Sequence, residues 1–128
     1  MGLTQVVGRV KRPDGRGTAL RVHFLVDTGA VYTVLPARVC RTLRLRPTSA
    51  AEFGRANGST ITRAVSEARF EIAGRMATSP VVLGEADDAP LLGAVTLETL
   101  GLMVNPLTRE VIPMRPLPMY RMRAPAPT

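Results

Sequence analysis

The sequence has few of the residues that build metal sites, disulfide frameworks or aromatic binding surfaces. Its 128 residues include no Trp, only 4% aromatic residues, one Cys and one His. Cys40 has no second cysteine with which to form an internal disulfide, and with His23 it makes too few ligands for a zinc site. The sequence therefore implies no metal and no cofactor, and the core must consist mainly of aliphatic side chains.

Long apolar segments are also missing. No run approaches the length of a membrane-spanning helix, and the opening "MGLTQVVGRVKRPDG" lacks the apolar centre of a signal peptide. A single cysteine suits a reducing compartment. We therefore expect a soluble, cytoplasmic protein that does not contact membranes. It should have one domain, because 128 residues are too few for two well-formed cores.

Acidic residues are outnumbered: 17 basic residues face 10 acidic ones, which gives a formal net charge of +7. Such an excess is typical of nucleic-acid-binding proteins. Here, however, the arginines stand singly from Arg9 to Arg123, with neither a basic run nor interleaved rings for base stacking. A solvated, Arg-rich surface is the favoured interpretation, and we expect no nucleic-acid partner. A nucleic-acid module would show steeply salt-dependent binding.

Turn-forming residues divide the chain into short strands. The segment "KRPDGRG" predicts a turn between two strands, so that residues 4–26 form a β-hairpin. A short strand, "YTVLP", then leads to Pro36, which is typical of a helix start. Asn57-Gly58 predicts a second, long hairpin, because both residues tolerate a positive φ.

The second half of the chain continues in the same way. "RMATSPVVLG" predicts a strand, and "LLGAVTLETLGL" begins extended and becomes a helix at Val95 to Leu100, which Gly101 ends. "MVNPLTREVIP" predicts two strands around an Asn-Pro turn. Together these patterns predict one mainly β domain over residues 1–113 and a Pro-rich tail over residues 114–128.

One carboxylate stands at the end of a strand that the pattern predicts to be buried. In "FLVDTGAVYTVLP", residues 24–36, Asp27 follows an apolar run and precedes Thr28 and Gly29. Burial disfavours the charged form of a lone carboxylate. The position makes chemical sense if a second carboxylate shares one proton with the first. One can then act as base and the other as acid towards a water molecule between them.

The remaining aspartates do not offer that partner. Asp14 lies in a predicted turn, Asp87 and Asp88 lie in an acidic loop, and none of them is followed by Thr-Gly or Ser-Gly. The partner would then be Asp27 of a second copy, across a two-fold axis. This hypothesis makes homodimerisation a requirement of the chemistry.

The ordered set of motifs resembles the retropepsins, the retroviral-type aspartic peptidases, and looks most like their small bacterial and archaeal members. The resemblance extends over residues 5–113 and rests on "LVDTGAVYTVLP", on the hairpin in the place of the flap, and on "LLGAVTLETLGL". It implies a mainly β, single-domain acid-protease fold, with closed, barrel-like β-sheets, a flap hairpin and one or two short helices. The implied activity is that of an aspartic endopeptidase.

Residue roles follow from the resemblance by position. Asp27 would be the catalytic carboxylate, Thr28 would bind the other subunit through its hydroxyl, and Gly29 would contact substrate through its backbone. The substrate would be an extended polypeptide, held as an added strand between flap and floor. The residues that bind it would be Ala30, Val31, Asn57, Gly58 and Leu91, with Asn57 and Gly58 at or near the flap tip.

The chain departs from the viral pattern at two positions. Viral members commonly carry Asp after the Ala of the first motif and Arg after the Gly of the second, as an ion pair at the subunit boundary. This chain has Val31 and Ala94 there. Both partners are missing together, so neither charge is left unpaired. We therefore expect a weak homodimer that dissociates on dilution.

Two functions are compatible with these motifs. In one, the chain hydrolyses peptide bonds with a water molecule activated by the two copies of Asp27. In the other, the same fold is a catalytically silent peptide-binding or dimerisation module. The retained Asp27, Thr28 and Gly29 favour the enzyme, because a module that only binds has no need of a buried acid.

Overall fold

The computed structural model describes residues 4–114, which form short strands and two short helices. The mainly β architecture predicted from the sequence is confirmed. In chain order the elements are β1 (Gln5–Lys11), β2 (Leu20–Val26), β3 (Thr33–Leu35), α1 (Ala37–Leu43), β4 (Ser49–Gly54), β5 (Thr60–Ile72), β6 (Arg75–Leu83), β7 (Leu91–Leu92), α2 (Ala94–Leu100), β8 (Leu102–Val104) and β9 (Val111–Pro113).

Six of these strands close into a ring. Their order is β1-β2-β7-β3-β6-β5, and β5 pairs back to β1. Most neighbours are antiparallel, but β7 runs parallel to β2, and β3 runs parallel to β6. Because the ring closes on itself, these strands present few free edges to other chains. The closed, barrel-like sheet expected from the sequence is therefore present.

Alternate side chains of the strands fill the inside of the ring. On β2, Val22 and Phe24 are buried, whereas Arg21 and His23 are exposed, as the two-residue period of a strand predicts. Phe24 packs against Phe70 of β5 with the ring centroids 6.0 Å apart. The core is otherwise aliphatic, as the low aromatic content requires.

Both helices begin and end near the predicted residues. Pro36 directly precedes α1, and the helix ends at Arg44, which adopts a left-handed conformation with φ 52°. Gly101 ends α2 with φ 68°, a conformation that glycine adopts without the steric cost of a Cβ. After α2, β8 and β9 pair around a turn in which Asn105 Oδ1 accepts a hydrogen bond from Leu107 N at 2.9 Å.

The second predicted hairpin, formed by β4 and β5, is confirmed, but its tip differs from the expectation. Gly58 has a φ of 85°, whereas Asn57 does not adopt a positive φ. Instead, the Asn57 side chain accepts hydrogen bonds from the backbone N and the hydroxyl of Ser59. The tip closes through Gly58 N donating to Arg55 O at 3.0 Å. The turn therefore needs one left-handed residue rather than two.

The predicted Pro-rich tail, residues 114–128, lies outside the described residues except for Met114. Met114 N donates to Gly101 O at 2.8 Å, which joins the end of the described chain to the end of α2. Within residues 4–114, no helix has both the length and the apolar composition needed to cross a bilayer.

Two distant segments cross closely where β7 leads into α2. A Cβ built on Gly93 would lie 2.5 Å from the backbone carbon of Tyr32 and 2.9 Å from Thr33 N. Real Cβ atoms do not approach backbone so closely, so this position requires a glycine for steric reasons. The crossing brings the segment before β3 against the start of α2.

We expect Gly93→Ala to lower the free energy of unfolding by about 1–3 kcal/mol, because the two backbones must separate to admit the methyl group. Urea denaturation at one fixed protein concentration measures this change. Gly54→Ala is the matched control, since a Cβ at Gly54 would meet no atom within 4 Å. Equal midpoints for the two variants would contradict this account of the crossing.

Candidate active site

Asp27 lies in the turn that follows β2. Its backbone N donates to Leu92 O at 3.0 Å, and its backbone O accepts from Ala30 N at 3.1 Å. The side-chain Oδ1 accepts from Gly29 N at 2.9 Å, a charge-assisted hydrogen bond that orients the carboxylate. A Cβ at Gly29 would lie 3.2 Å from that same oxygen, so glycine eases the approach.

The expectation that Asp27 is buried is wrong for a single copy of the chain. Asp27, Thr28 and Gly29 are all exposed. The reason is that β2 ends at Val26, which is its last residue paired with β7, and the turn begins beyond that pair. Water would therefore leave this carboxylate only when another molecule covers the turn.

Three buried hydroxyl groups hold together the elements around the turn. Thr33 Oγ1 on β3 lies 2.6 Å from Thr96 Oγ1 on α2, and Ser79 Oγ on β6 lies 2.8 Å from the same Thr96 atom. Thr33 Oγ1 also accepts a hydrogen bond from Gly93 N at 3.0 Å. All three side chains are at most 1% exposed. We call Thr33, Ser79 and Thr96 the hydroxyl cluster.

The turn also pairs with the start of α2 through its backbone. Ala94 N donates to Ala30 O at 2.8 Å, and Val95 N donates to Val31 O at 3.0 Å. The two positions at which viral members commonly carry an ion pair, Val31 and Ala94, therefore lie on adjoining segments. The structure thus brings together two sequence motifs, residues 25–36 and 91–102, that are separated by 54 residues of the chain.

A cleft of about 400 Å³ lies between the turn and the β4–β5 hairpin. Its floor includes Gly29, Ala30 and Val31. The rings of Tyr32 and Phe53 meet edge to face, with centroids 6.0 Å apart. The other lining residues are Val34, Gly54, Ile61, Arg63, Val82 and Asp88. The cleft is thus mainly apolar, with charged side chains among its walls.

The residues predicted to bind substrate are only partly gathered in this cleft. Ala30 and Val31 line it. Asn57 and Gly58 lie at the tip of the hairpin whose strands form one wall, and neither is among the lining residues. Leu91 lies on β7, paired with Leu25 and Val34, and is also not among them.

Sequence reasoning missed two apolar residues of the hairpin wall. Phe53 on β4 and Ile61 on β5 are directly opposite each other in the antiparallel pair, and both line the cleft. The sequence did contain a signal for this pair, because Phe53 and Ile61 lie at similar distances on either side of the Asn57-Gly58 turn. A hairpin centred on that turn brings such residues face to face.

Charged side chains stand at the edge of the cleft. Arg63 Nη1 pairs with the carboxylate of Glu85, and this hydrogen bond raises the pKa of Arg63. Asp88 Oδ2 accepts a hydrogen bond from Glu85 N at 2.6 Å, which fixes the loop between β6 and β7. Within residues 4–114, no group of three or more His, Cys, Asp or Glu side chains could hold a metal ion.

Comparison with known families identifies the fold and the family. A family profile described as "gag-polyprotein putative aspartyl protease" matches residues 17–99, which is more than half of the chain. The chain belongs to this family. The matched range contains both Asp27-Thr28-Gly29 and Leu91-Leu92-Gly93, so the two motifs lie inside the shared region.

Among solved structures, the chain is similar to the EIAV protease complexed with the inhibitor HBY-793. The two are 19% identical, the match covers 78% of this chain and 89% of that chain, and the TM-score is 0.60. At this identity the likeness shows the fold, which is that of the retropepsins. The predicted retropepsin-like aspartic peptidase family is therefore confirmed. A search of curated proteins found no significant match.

We expect Thr96→Val to lower the free energy of unfolding by about 1–3 kcal/mol, because Thr33 and Ser79 each lose a buried hydrogen-bond partner. Thr99→Val is the matched control on the same helix. Thr99 is exposed, and its hydroxyl donates to Val95 O in its own helix at 2.7 Å. Denaturation of both variants measures the two losses of unfolding free energy. An equal loss in each would show that the buried hydroxyl cluster contributes no more to stability than the exposed Thr99 hydroxyl.

Proposed function

We propose that the chain is an aspartic endopeptidase that acts as a homodimer, with one Asp27 from each copy activating a single water molecule. The observation that carries the proposal is the geometry of the turn. An exposed carboxylate is oriented by Gly29 N and lies next to a mainly apolar cleft that has a strand hairpin as one wall.

The second carboxylate must come from another copy. Among the described residues, the Asp27 side chain accepts a hydrogen bond only from Gly29. Asp14 is engaged by Arg12 and Arg16 in the β1–β2 turn, and Asp88 by Glu85 N in the β6–β7 loop. A two-fold axis next to the turn would place an identical carboxylate beside the first, and like charges so close would share one proton.

In that dimer the reaction needs only the two carboxylates and water. The ionised carboxylate takes a proton from the water, whose oxygen bonds to the scissile carbonyl carbon, while the protonated carboxylate donates its proton to the carbonyl oxygen. The C–N bond of the resulting diol then breaks as the first carboxylate passes its proton to the leaving amine nitrogen and the second takes a proton back from a diol hydroxyl. The dyad is thereby restored, and no covalent acyl-enzyme forms. The peptide would lie extended over Gly29 and Ala30, between the turn and the hairpin. The Val31, Tyr32 and Phe53 side chains favour apolar groups near the scissile bond.

A second, smaller groove supports contact between copies on the Thr28 side of the turn. It has a volume of about 290 Å³ and is lined by residues of α2 and β8 together with Thr28 and Met114. Met103, which lines this groove, is 40% exposed, so the groove presents apolar surface. Association would bury that surface and remove water from Asp27 at the same time.

The proposed dimer is weak. Val31 and Ala94 cannot form an ion pair, and a net charge of +7 on each copy opposes association.

We propose a cytoplasmic setting for the activity, since the lone Cys40 is buried and suits a reducing compartment. The substrate class is extended polypeptide.

We expect Asp27→Asn to reduce hydrolysis of an unstructured protein substrate by about a thousandfold or more, because the amide can neither accept nor share the proton. Asp14→Asn is the control, since it removes an exposed carboxylate from the β1–β2 turn, at the opposite end of β2 from Asp27. Circular dichroism should show the same fold in both variants. Hydrolysis retained in Asp27→Asn would overturn the mechanism, and peptide binding by an inactive wild type would establish the silent module instead.

We also expect specific activity to depend on protein concentration. When most of the protein is monomeric, the rate should rise as the square of concentration, because each copy brings half of the site. Sedimentation over the same concentration range, at low and high salt, measures the dimer fraction directly. A monomer with full activity per mole, or a dimer that persists at every dilution, would contradict the proposed assembly.

A further inference from the structure

We propose that the cleft selects substrates that carry a Lys or Arg side chain at the position that reaches Asp88. This inference rests on the proposed function, since it concerns the substrate of the same cleft. It would make Asp88 a specificity-determining residue, and it is carried by the shape of the cleft and by the way its charged groups are already paired.

The shape of the cleft suits a long side chain. The cleft is lined both by Gly29, whose N holds the Asp27 carboxylate, and by Asp88 in the loop before β7. Its other lining residues are largely apolar and include Tyr32 and Phe53, whose rings pack edge to face against each other. A peptide that crosses the turn would direct a nearby side chain along these walls towards Asp88.

The two charged residues that line the cleft, Arg63 and Asp88, are not equally available to bind a ligand. Arg63 is paired with Glu85, and the additional negative charges of Asp88 and Asp87 also raise its pKa. Asp88 uses Oδ2 to accept from Glu85 N, while its Oδ1 accepts no hydrogen bond from residues 4–114. One carboxylate oxygen therefore remains able to receive a donor from a ligand.

The charge balance at this edge is negative, although the protein as a whole is basic. The charges of Glu85, Asp87 and Asp88 all act on Arg63. This one arginine offsets one of the three carboxylates, which leaves an excess of two negative charges among these four side chains. An acidic side chain of a substrate would be repelled by this excess of negative charge, and Arg63, the nearby arginine, is already paired. A cationic side chain would be attracted to that excess.

Lys and Arg combine the two properties that the cleft demands. Their methylene stems pack against apolar surface while the charged head remains at a polar site. A cationic group near the Tyr32 and Phe53 rings can also be stabilised by the ring faces. A neutral side chain of the same length, such as norleucine, would gain the apolar contacts without the contact to Asp88.

The test is a set of peptides in which one lysine is moved along an apolar host sequence. At the position where lysine raises kcat/KM most, lysine, norleucine and glutamate are compared. In the wild type we expect lysine to exceed norleucine by about fivefold at low salt, and glutamate to be poorest. In Asp88→Asn, which keeps an oxygen to accept from Glu85 N, the lysine-to-norleucine ratio should fall to about one.

Asp87→Asn is the matched control, because it removes the same charge from the same loop at a residue that does not line the cleft. It should keep most of the lysine preference. No preference for lysine at any position in the wild type, or an equal loss in both variants, would overturn the assignment to Asp88.

A binding measurement separates this inference from the proposed function. Fluorescence anisotropy with Asp27→Asn reports peptide binding without hydrolysis, and the lysine peptide should bind more tightly than the norleucine peptide. A wild type that hydrolyses no peptide would refute the peptidase proposal. If Asp27→Asn still binds the lysine peptide more tightly, and the double variant Asp27→Asn with Asp88→Asn does not, the selectivity stands on its own. Equal binding of the two peptides overturns the selectivity, whatever the activity.

Discussion

The close crossing between the turn after β2 and the start of α2 is the contact on which the candidate site depends. Gly93 passes against the backbone of Tyr32, which only a residue without Cβ allows, and its N is held by the Thr33 hydroxyl. This crossing keeps Leu92 O in place to accept from Asp27 N. The backbone of Asp27 is thus held by Leu92, more than 60 residues away in the chain, while Gly29 N orients the carboxylate.

Strand β5 joins the hairpin wall of the cleft to the core. Its first residues pair with β4 and place Ile61 and Arg63 on the cleft, whereas its later residues pair with β1 and β6 and bury Phe70 and Ile72. One continuous strand therefore serves two purposes. The base of the hairpin is anchored by the barrel, while its tip, which includes Gly58, takes part in no strand pairing within residues 4–114.

Local features of the fold could be predicted from the sequence, and features that depend on long-range pairing could not. Pro36, Gly101 and the Asn57-Gly58 turn act on their own neighbours, so the helices and the hairpin followed from them. The hydroxyl cluster joins residues 17 and 63 positions apart, which no local pattern reveals. The burial of Asp27 was misjudged because an apolar strand pattern does not predict how exposed the turn is beyond the last paired residue of the strand.

The exposure of Asp27 links the proposed chemistry to assembly. In a single copy the carboxylate is in contact with water, and nothing in the described residues gives it a partner with which to share a proton. In the proposed dimer, the exposure of Asp27 and its lack of a partner change together, because the second copy covers the turn, removes water and brings an identical carboxylate. If the association is weak, as Val31 and Ala94 imply, the monomer is a folded protein with an ordinary surface carboxylate. Under the proposed mechanism, catalysis is then a property of the dimer alone, and conditions that favour association also create the reactive site.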